Sequence, residues 1–255
     1  MVIFSGDSLT WSMRRSLFNN MGKANVQNIT NRSWNKEAGF SAHLICKDSS
    51  SSEKVKSIPV FQQVATGGNW GAAPQNISLD NVTRNLIQYT PNRVLGIYNF
   101  GAHYHSMDSY TNDFDQLLEW LEHQYHRPHD LVFFRTTVPG HTGCQPRTPA
   151  KFDFKHGTRE HPLASIAEYQ SSTTHDWNLF QKYNAYSLKR IQERSKKTIV
   201  PIHVLDVYNM TLLRRDGHGG GGDCLHYVEP GPVDWWIHLL FTYLKDLNAA
   251  KECVN

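Results

Sequence analysis

Short apolar runs that alternate with amphipathic segments constrain the fold of this chain more than any other feature of its sequence. Four such runs predict strands, at residues 2–5, 94–99, 131–136 and 198–207. Four segments with apolar side chains at helical spacing predict helices, at residues 9–21, 113–125, 176–194 and 230–247. Strands that alternate with helices of this length favour a mostly parallel sheet with helices on both faces. Residues 22–90 show little regular pattern.

Composition narrows the class of protein. The 255 residues are enough for one large α/β domain or two small ones, and a hydrophobic content of 39% is typical of a globular protein. The net charge of +3 is mild and the basic residues are scattered, so nothing predicts binding to nucleic acid. No apolar run approaches the roughly 18 residues that a membrane-spanning helix requires. The sequence therefore favours a globular α/β protein with no nucleic-acid partner.

The end of the first predicted strand carries a serine in a setting that suits a nucleophile. Gly6 and Asp7 break the apolar run, which puts Ser8 where the strand passes into the first predicted helix. At such a junction the hydroxyl is exposed, and the N–H groups of the helix N-terminus suit a developing oxyanion. Gly6 and Asp7 are accordingly assigned to oxyanion and substrate binding. A structural serine in an ordinary turn is the alternative interpretation.

An aspartate and a histidine three residues apart, Asp223 and His226, lie near the other end of the chain. This spacing predicts that both side chains lie on one side of a single turn. A carboxylate and an imidazole held together are the orienting group and the base that an unactivated serine needs. We therefore interpret Ser8, His226 and Asp223 as one catalytic set. The alternative is a capping aspartate beside a surface histidine.

Other polar residues follow predicted strands, at the edge where the sites of parallel sheets lie. Asn99 and Gly101 follow the second strand, and we predict that they help to bind the oxyanion together with a backbone N–H at the nucleophile. A glycine of the 67–68 loop is a further candidate donor. Arg135 ends the third strand, where it either holds Asp7 or the substrate or forms a structural ion pair. The common position of these residues predicts one site.

The 14 histidines raise the question of a metal site. His123 and His126 are at helical spacing, but no acidic residue or cysteine lies at a recognisable partner spacing. We therefore interpret them as surface histidines and predict no metal site. The adjacent Trp235 and Trp236 are candidates for stacking on sugar rings, with core packing as the alternative for at least one of them.

Sequons and cysteines indicate that the natural protein enters the secretory pathway. Five Asn-x-Ser/Thr sequons are present, at Asn28, Asn31, Asn76, Asn81 and Asn209. Four widely spaced cysteines fit two disulfides, with four free thiols as the alternative: Cys46, Cys144, Cys224 and Cys253. Because Met1 leads directly into the first predicted strand, we expect the chain to lack an N-terminal signal or membrane anchor of the natural protein.

Five short blocks of sequence contain most of the candidate site residues named above. They are residues 6–8 (GDS), 94–103 (VLGIYNFGAH), 132–144 (VFFRTTVPGHTGC), 215–218 (RDGH) and 223–236 (DCLHYVEPGPVDWW). In these blocks the chain resembles the PC-esterase group of the SGNH/GDSL-like superfamily and, more closely, its trichome birefringence-like polysaccharide O-acetyltransferases. The chain departs from that pattern by one inserted residue before His103 and by the lack of a second cysteine after His226.

The resemblance implies a fold and an activity. The fold is an SGNH-hydrolase-like three-layer α/β/α sandwich with a mostly parallel central sheet, in a single catalytic domain, residues 1–255, without its natural N-terminal anchor or stem. The activity is serine-dependent O-acetyl transfer to polysaccharide hydroxyls, in which Ser8 carries the acyl group, His226 moves the proton and Asp223 orients the imidazole.

The same resemblance implies the partners and the location. The partners are a polysaccharide acceptor and an acetyl donor, no metal or organic cofactor is needed, and the location is the Golgi lumen or the extracellular space. A polysaccharide O-acetylesterase with the same three residues is one alternative, and an inactive glycan-binding luminal domain is another, from a different class. The sequence does not indicate the oligomeric state.

Overall fold

A seven-stranded sheet forms the centre of the protein. The computed structural model describes residues 1–21, 26–28, 40–47, 55–64, 87–99, 101–141, 174–220 and 223–247. The strands of this sheet are β1 (Val2–Gly6), β2 (Val26–Asn28), β3 (Phe40–Lys47), β4 (Val55–Val64), β5 (Leu95–Tyr98), β6 (Leu131–Arg135) and β7 (Ile202–Leu205). Their order across the sheet is β2-β3-β4-β1-β5-β6-β7. Strands β4, β1, β5, β6 and β7 are parallel, whereas β2 and β3 add antiparallel pairs at one edge.

Helices and a short hairpin connect and cover these strands. The α-helices are α1 (Ser8–Met21), α2 (Met107–His123), α3 (Phe180–Arg194), α4 (Tyr208–Leu212) and α5 (Pro232–Asp246). Two 3-10 turns precede later elements, at Thr174–Leu179 and Arg215–Gly217. Strands β8 (His218–Gly220) and β9 (Asp223–Tyr227) pair with each other as an antiparallel hairpin separate from the main sheet.

The helices cover both faces of the sheet, as two neighbouring side chains of β6 demonstrate. The Phe133 ring lies 6.1 Å from the Tyr243 ring of α5, whereas the Phe134 ring lies 5.1 Å from the Phe114 ring of α2. Successive residues of a strand point to opposite faces, so α2 and α5 lie on opposite sides of the sheet. Helix α1 packs against α5 and α3 packs against α2. The predicted three-layer architecture with a mostly parallel sheet is therefore confirmed.

The first residues of the helices explain where the helices begin. In α2 the Ser106 hydroxyl accepts a hydrogen bond from the Ser109 N–H at 3.2 Å, which caps the helix nearly two turns before the predicted start at residue 113. Helix α5 begins at Pro232, where a missing N–H costs nothing. The Asp234 carboxylate there accepts from the Gly231 N–H at 2.7 Å.

The apolar strand runs are largely confirmed, with β1, β5 and β6 within one residue of their predicted limits and the fourth run shortened to β7. Residues 22–90, where the sequence shows little regular pattern, nevertheless contain β2, β3 and β4. Strand β4 contains Pro59, which argues against an interior strand, yet it pairs with β1 on one side and β3 on the other. These strands are specified by their neighbours in the sheet rather than by a local pattern.

Several predictions fall outside the described residues. They concern the candidate glycines at 67–68, the sequons at Asn31, Asn76 and Asn81, and the cysteines Cys144 and Cys253. None of the helices in the described ranges is long and apolar enough to cross a membrane.

Candidate active site

The junction between β1 and α1 places Ser8 at the start of a helix. A Cβ atom at Gly6, where φ is +157°, would lie 2.2 Å from the Asn99 carbonyl oxygen and 2.4 Å from the Thr10 hydroxyl. Only glycine therefore allows the end of β1 to lie this close to the segment that follows β5. Ser8 follows two residues later and is only partly buried.

Asp7 caps α1 and so fixes the orientation of Ser8. One carboxylate oxygen of Asp7 accepts from the Leu9 N–H at 3.0 Å and from the Thr10 N–H at 3.4 Å. The backbone N–H of Ser8 is thus a first-turn donor that the Asp7 side chain does not take up. It lies at the positive end of the helix dipole, where a developing negative charge is favoured.

Ser8, His226 and Asp223 form a continuous chain of hydrogen bonds. The Ser8 hydroxyl oxygen lies 2.7 Å from Nε2 of His226, and Nδ1 of the same ring lies 2.8 Å from an Asp223 carboxylate oxygen. The structure thus brings together the serine and the pair that 215 residues of sequence separate. His226 and Asp223 are also partly exposed, at 37% and 56% of their side-chain surface, so the chain is open to a substrate.

The partners of His226 fix its tautomer. A carboxylate only accepts hydrogen bonds, so Nδ1 carries the proton and Nε2 presents its lone pair to the Ser8 hydroxyl. The second oxygen of Asp223 accepts from the His226 N–H at 3.0 Å and from the Leu225 N–H at 3.2 Å. Partial burial by itself raises the pKa of Asp223, but these hydrogen bonds from His226 and Leu225 outweigh it and leave the pKa below its ordinary value. Asp223 is therefore ionised at neutral pH.

The local structure of this pair differs from the sequence prediction. Asp223 and His226 lie on β9, the second strand of the hairpin, rather than on one helical turn. They still reach each other because the Asp223 carboxylate turns back onto the N–H groups of its own strand.

Asn99 lies beneath Ser8 in a buried polar network. Its amide nitrogen donates to the Arg135 carbonyl at 2.9 Å and to the Thr137 hydroxyl at 3.3 Å, and its amide oxygen accepts from the Arg135 guanidinium. Both amide hydrogens of Asn99 are therefore engaged inside the protein. Its predicted role as an oxyanion donor stays a prediction, and the structure adds that Asn99 joins the ends of β5 and β6.

Arg135 is fully buried at the end of β6. It donates to the Thr136 carbonyl at 3.0 Å, lies 3.9 Å from an Asp7 carboxylate oxygen, and has its guanidinium carbon 4.9 Å above the Trp236 ring. Burial lowers the pKa of Arg135 to about 10, opposed by the charge of Asp7, so the guanidinium stays protonated at neutral pH. Of the two predicted roles, these contacts favour support of Asp7.

Gly101 lies next to this network, close to Thr137. A Cβ atom at Gly101, where φ is +148°, would lie 2.3 Å from the Thr137 hydroxyl oxygen. The close approach requires glycine and keeps the backbone after β5 against the end of β6. The role of Gly101 in binding an oxyanion stays a prediction, and the candidate glycines at 67–68 lie outside the described residues.

Sequence reasoning gave no role to the histidines that support the hairpin. His141 and His218 are 4% and 3% exposed, and Nδ1 of His141 lies 2.7 Å from Nε2 of His218. The backbone N–H of His141 donates to the backbone carbonyl of Cys224 at 2.8 Å, and Cys224 itself forms a disulfide. No spacing rule links positions 141 and 218, so only their presence in the family blocks hinted at a function.

The two tryptophans of α5 have different surroundings. Trp236 is fully buried, which confirms core packing for one of the pair, whereas Trp235 is 58% exposed. Trp235 lines a cavity of about 200 Å³ together with Met210, Thr211, Arg214 and Pro232. Within the described ranges no three His, Cys, Asp or Glu side chains converge as a metal site requires.

Comparison with known proteins finds a family model that matches more than half of this chain. The model of the PC-Esterase family, described as a GDSL/SGNH-like acyl-esterase family found in Pmr5 and Cas1p, matches residues 83–243. That range contains Asp223 and His226 but not Ser8.

Curated relatives match over shorter segments. Protein trichome berefringence-like 7 of Arabidopsis thaliana is 26% identical over 134 residues, which cover 49% of this chain and 25% of that protein. Xyloglucan O-acetyltransferase 4 of Populus trichocarpa is 32% identical over 84 residues, covering 29% and 20%. The chain thus matches only a quarter or less of these relatives. Among solved structures, a carbohydrate esterase family 3 protein from Talaromyces cellulolyticus is 13% identical with a TM-score of 0.47, covering 96% of this chain and 99% of that one.

Proposed function

Since the chain belongs to the PC-Esterase family, we propose that it transfers O-acetyl groups to polysaccharide hydroxyls with Ser8 as the nucleophile. The observation that carries this proposal is the 2.7 Å contact between the Ser8 hydroxyl and His226 Nε2, continued to Asp223 at 2.8 Å. A hydroxyl bonded to the lone pair of an imidazole, itself oriented by an ionised carboxylate, is the arrangement that activates serine in acyl transfer.

The reaction has two halves. In the first, the Ser8 oxygen attacks the acetyl carbonyl, His226 Nε2 takes the serine proton, and Asp223 stabilises the imidazolium that forms. His226 then returns the proton to the departing oxygen, which leaves acetyl-Ser8. In the second half an acceptor hydroxyl loses its proton to His226 and attacks the acetyl-serine, and the serine oxygen recovers the proton. Water in place of the sugar hydroxyl gives the esterase reaction.

The oxyanion of each half develops beside the start of α1. The Ser8 N–H is a first-turn donor that the Asp7 side chain does not take up, and it lies at the positive end of the helix dipole. The second donor in our proposal is the backbone at Gly101, which close packing against Thr137 holds next to the end of β5. Buried hydrogen bonds between Asn99 and Arg135 hold together the ends of β5 and β6, next to these donors.

The acceptor and the location follow from the family in this proposal. Relatives named as xyloglucan O-acetyltransferases support a polysaccharide acceptor, and the exposed Trp235 ring offers a surface on which a sugar can stack. The five sequons and the disulfide of Cys224 support the secretory pathway, in the Golgi lumen or outside the cell. In this proposal residues 1–255 form one catalytic domain.

Active-site labelling tests the nucleophile directly. A fluorophosphonate probe should label the wild-type protein at Ser8, and incubation with an acetyl donor should add the mass of one acetyl group to the same peptide. Ser8→Ala should abolish both. The matched control is Ser12→Ala, which removes a buried hydroxyl one turn later on the same helix, where its hydrogen bond goes to a backbone carbonyl. Equal labelling of the Ser8→Ala protein would place the nucleophile elsewhere.

Transfer and hydrolysis are separated by following the acetyl group. Acetyl-Ser8 protein that loses its acetyl group faster in the presence of a de-acetylated glycan, with acetylated glycan as the product, supports the transferase. Loss at the same rate in buffer alone supports the esterase. Glycan binding without any acetyl-serine would instead indicate the inactive binding domain.

A further inference from the structure

A buried pair of histidines lies behind the strand that carries His226. His141 follows β6 and His218 begins β8, and their rings face each other with Nδ1 of His141 2.7 Å from Nε2 of His218. Both side chains are almost completely buried. The mechanism proposed above uses neither of them, yet β8 pairs directly with β9, so the pair touches the catalytic hairpin from inside.

The outer nitrogens of the pair are bound to backbone carbonyls. Nε2 of His141 lies 2.8 Å from the Leu212 carbonyl oxygen, and Nδ1 of His218 lies 2.7 Å from the carbonyl oxygen of His226 itself. A carbonyl oxygen only accepts hydrogen bonds, so both outer nitrogens must carry protons. The backbone of His226 is thus held by the ring of His218.

The contact between Nδ1 of His141 and Nε2 of His218 requires an extra proton. A neutral imidazole carries one N–H, and in each ring that proton is already committed to a carbonyl. Two neutral rings would then face each other with two lone pairs at 2.7 Å, which is repulsive. The contact becomes a hydrogen bond only when one inner nitrogen is also protonated. Three hydrogen bonds in this row therefore require three protons on two rings and one positive charge.

Some groups around the pair raise the pKa of His218 and others lower it. Burial lowers the pKa of His218, whereas the Asp223 and Asp216 carboxylates favour its charged form and a charged His226 would oppose it. Asp216 is itself paired with Arg214 at 2.8 Å.

The nearest ring contributes no charge of its own. The Tyr227 ring stacks on His218 at 4.3 Å, its hydroxyl donates to the Pro139 carbonyl, and burial keeps its pKa well above the ordinary value, so it is neutral. Burial outweighs the carboxylates and leaves the pKa of His218 below its ordinary value, so it is the geometry of the three hydrogen bonds in the row that requires the extra proton.

We propose that His141 and His218 share one extra proton. This charged pair positions the backbone of His226, so that the His226 ring can accept the proton of Ser8. The proposal rests on the role of His226 in the proposed function. When the extra proton leaves, the row can keep only two of its three hydrogen bonds, and the hairpin loses part of its support. His141 and His218 are then positioning residues, and the loss of their shared proton lowers activity on the alkaline side.

The test variant is His141→Asn. It keeps the hydrogen bonds to His218 and from His218 to the His226 carbonyl, but it removes the need for an extra proton on the pair. An asparagine amide nitrogen can occupy the place of Nδ1 and donate to Nε2 of neutral His218, so that His218 still donates to the His226 carbonyl. The matched control is His238→Asn, a change at an exposed histidine of α5. A second variant, His218→Asn, keeps a donor toward His226 but removes the inner contact, and it serves if His141→Asn does not fold.

Nitrogen NMR of histidine-labelled protein gives a readout that does not depend on activity. In the wild type and in His238→Asn, the signals of His141 and His218 should titrate together in one step that removes one proton from the pair. In His141→Asn, His218 should remain neutral with its proton on Nδ1 across about pH 5–8. Two neutral rings in the folded wild type throughout that range would overturn the proposal.

The pH profile of turnover separates a positioning role from a structural one. Wild-type kcat should fall from one plateau to a lower one on the alkaline side as the pair loses its single proton, and His141→Asn should lose that fall. A variant with a uniformly lower kcat and an unchanged profile would refute the positioning role. If Ser8→Ala stayed active, the proposed function would fail while the NMR result still stood, so the two failures are distinguishable.

Discussion

Replacing Arg135 by methionine tests whether a buried cation holds the nucleophile turn. Methionine has a similar length and fills much of the same volume, so the change removes mainly the charge and the donors. Four polar contacts of Arg135 are lost with them: the hydrogen bonds to Asn99, to the Thr136 carbonyl and to the Thr10 hydroxyl, and the charge 3.9 Å from Asp7. Asp7 is only 5% exposed, so its carboxylate would remain buried without a compensating cation.

The expected loss of stability follows from this burial. Breaking a buried ion pair by removing one partner costs about 3–5 kcal/mol, because the remaining charge stays desolvated. Asp7→Asn also destabilises, although asparagine keeps an oxygen that can cap α1. The double variant leaves no uncompensated charge. Its loss should therefore fall short of the sum of the single losses by about 0.5–3 kcal/mol.

Urea unfolding followed by tryptophan fluorescence measures these free energies of unfolding, and fluorophosphonate labelling reports on Ser8 in the same proteins. The matched control is Arg15→Met, which breaks the pair of a 43% exposed arginine with Glu229 and should cost about 0–1 kcal/mol. An Arg135→Met protein no less stable than Arg15→Met, with losses that add to those of Asp7→Asn, would refute the reasoning.

Further predictions concern the catalytic set and its surroundings. Asp223→Asn should lower kcat on the order of 10⁴-fold on an acetyl ester, because the imidazole loses its orientation, and unchanged kcat would contradict this. Because the pKa of Asp223 lies below its ordinary value, its carboxylate stays ionised in mildly acidic solution, so a pH–rate profile should show no loss of activity there from protonation of Asp223. Trp235→Ala should raise KM for the glycan but leave KM for a small acetyl ester unchanged; parallel changes would argue against sugar stacking. Non-reducing peptide mapping should find Cys224 in a disulfide worth roughly 2–4 kcal/mol, and complete alkylation of its thiol without reduction would contradict this.

The amino-acid sequence by itself determined the parts of this protein that depend on short-range pattern. The runs Val2–Phe4 of β1 and Leu131–Phe134 of β6 are continuously apolar rather than alternating because both faces of each strand are buried. The break at Gly6 and Asp7 marked the turn before Ser8, since those residue types end a strand and cap a helix. The three-residue spacing of Asp223 and His226 was enough to predict their contact, although the element that carries them is a strand.

Only the tertiary structure decided which distant groups meet. The sequence of β4 contains Pro59 and does not have the pattern of an interior strand. It nevertheless forms one, because the backbone N–H and C=O groups of β1 and β3 on either side supply its hydrogen-bond partners. The buried contact of Arg135 with Asn99 and that of His141 with His218 join residues 36 and 77 positions apart, for which no local period exists. Burial then makes these contacts matter, because a polar group removed from water must find its partner wherever the fold brings one.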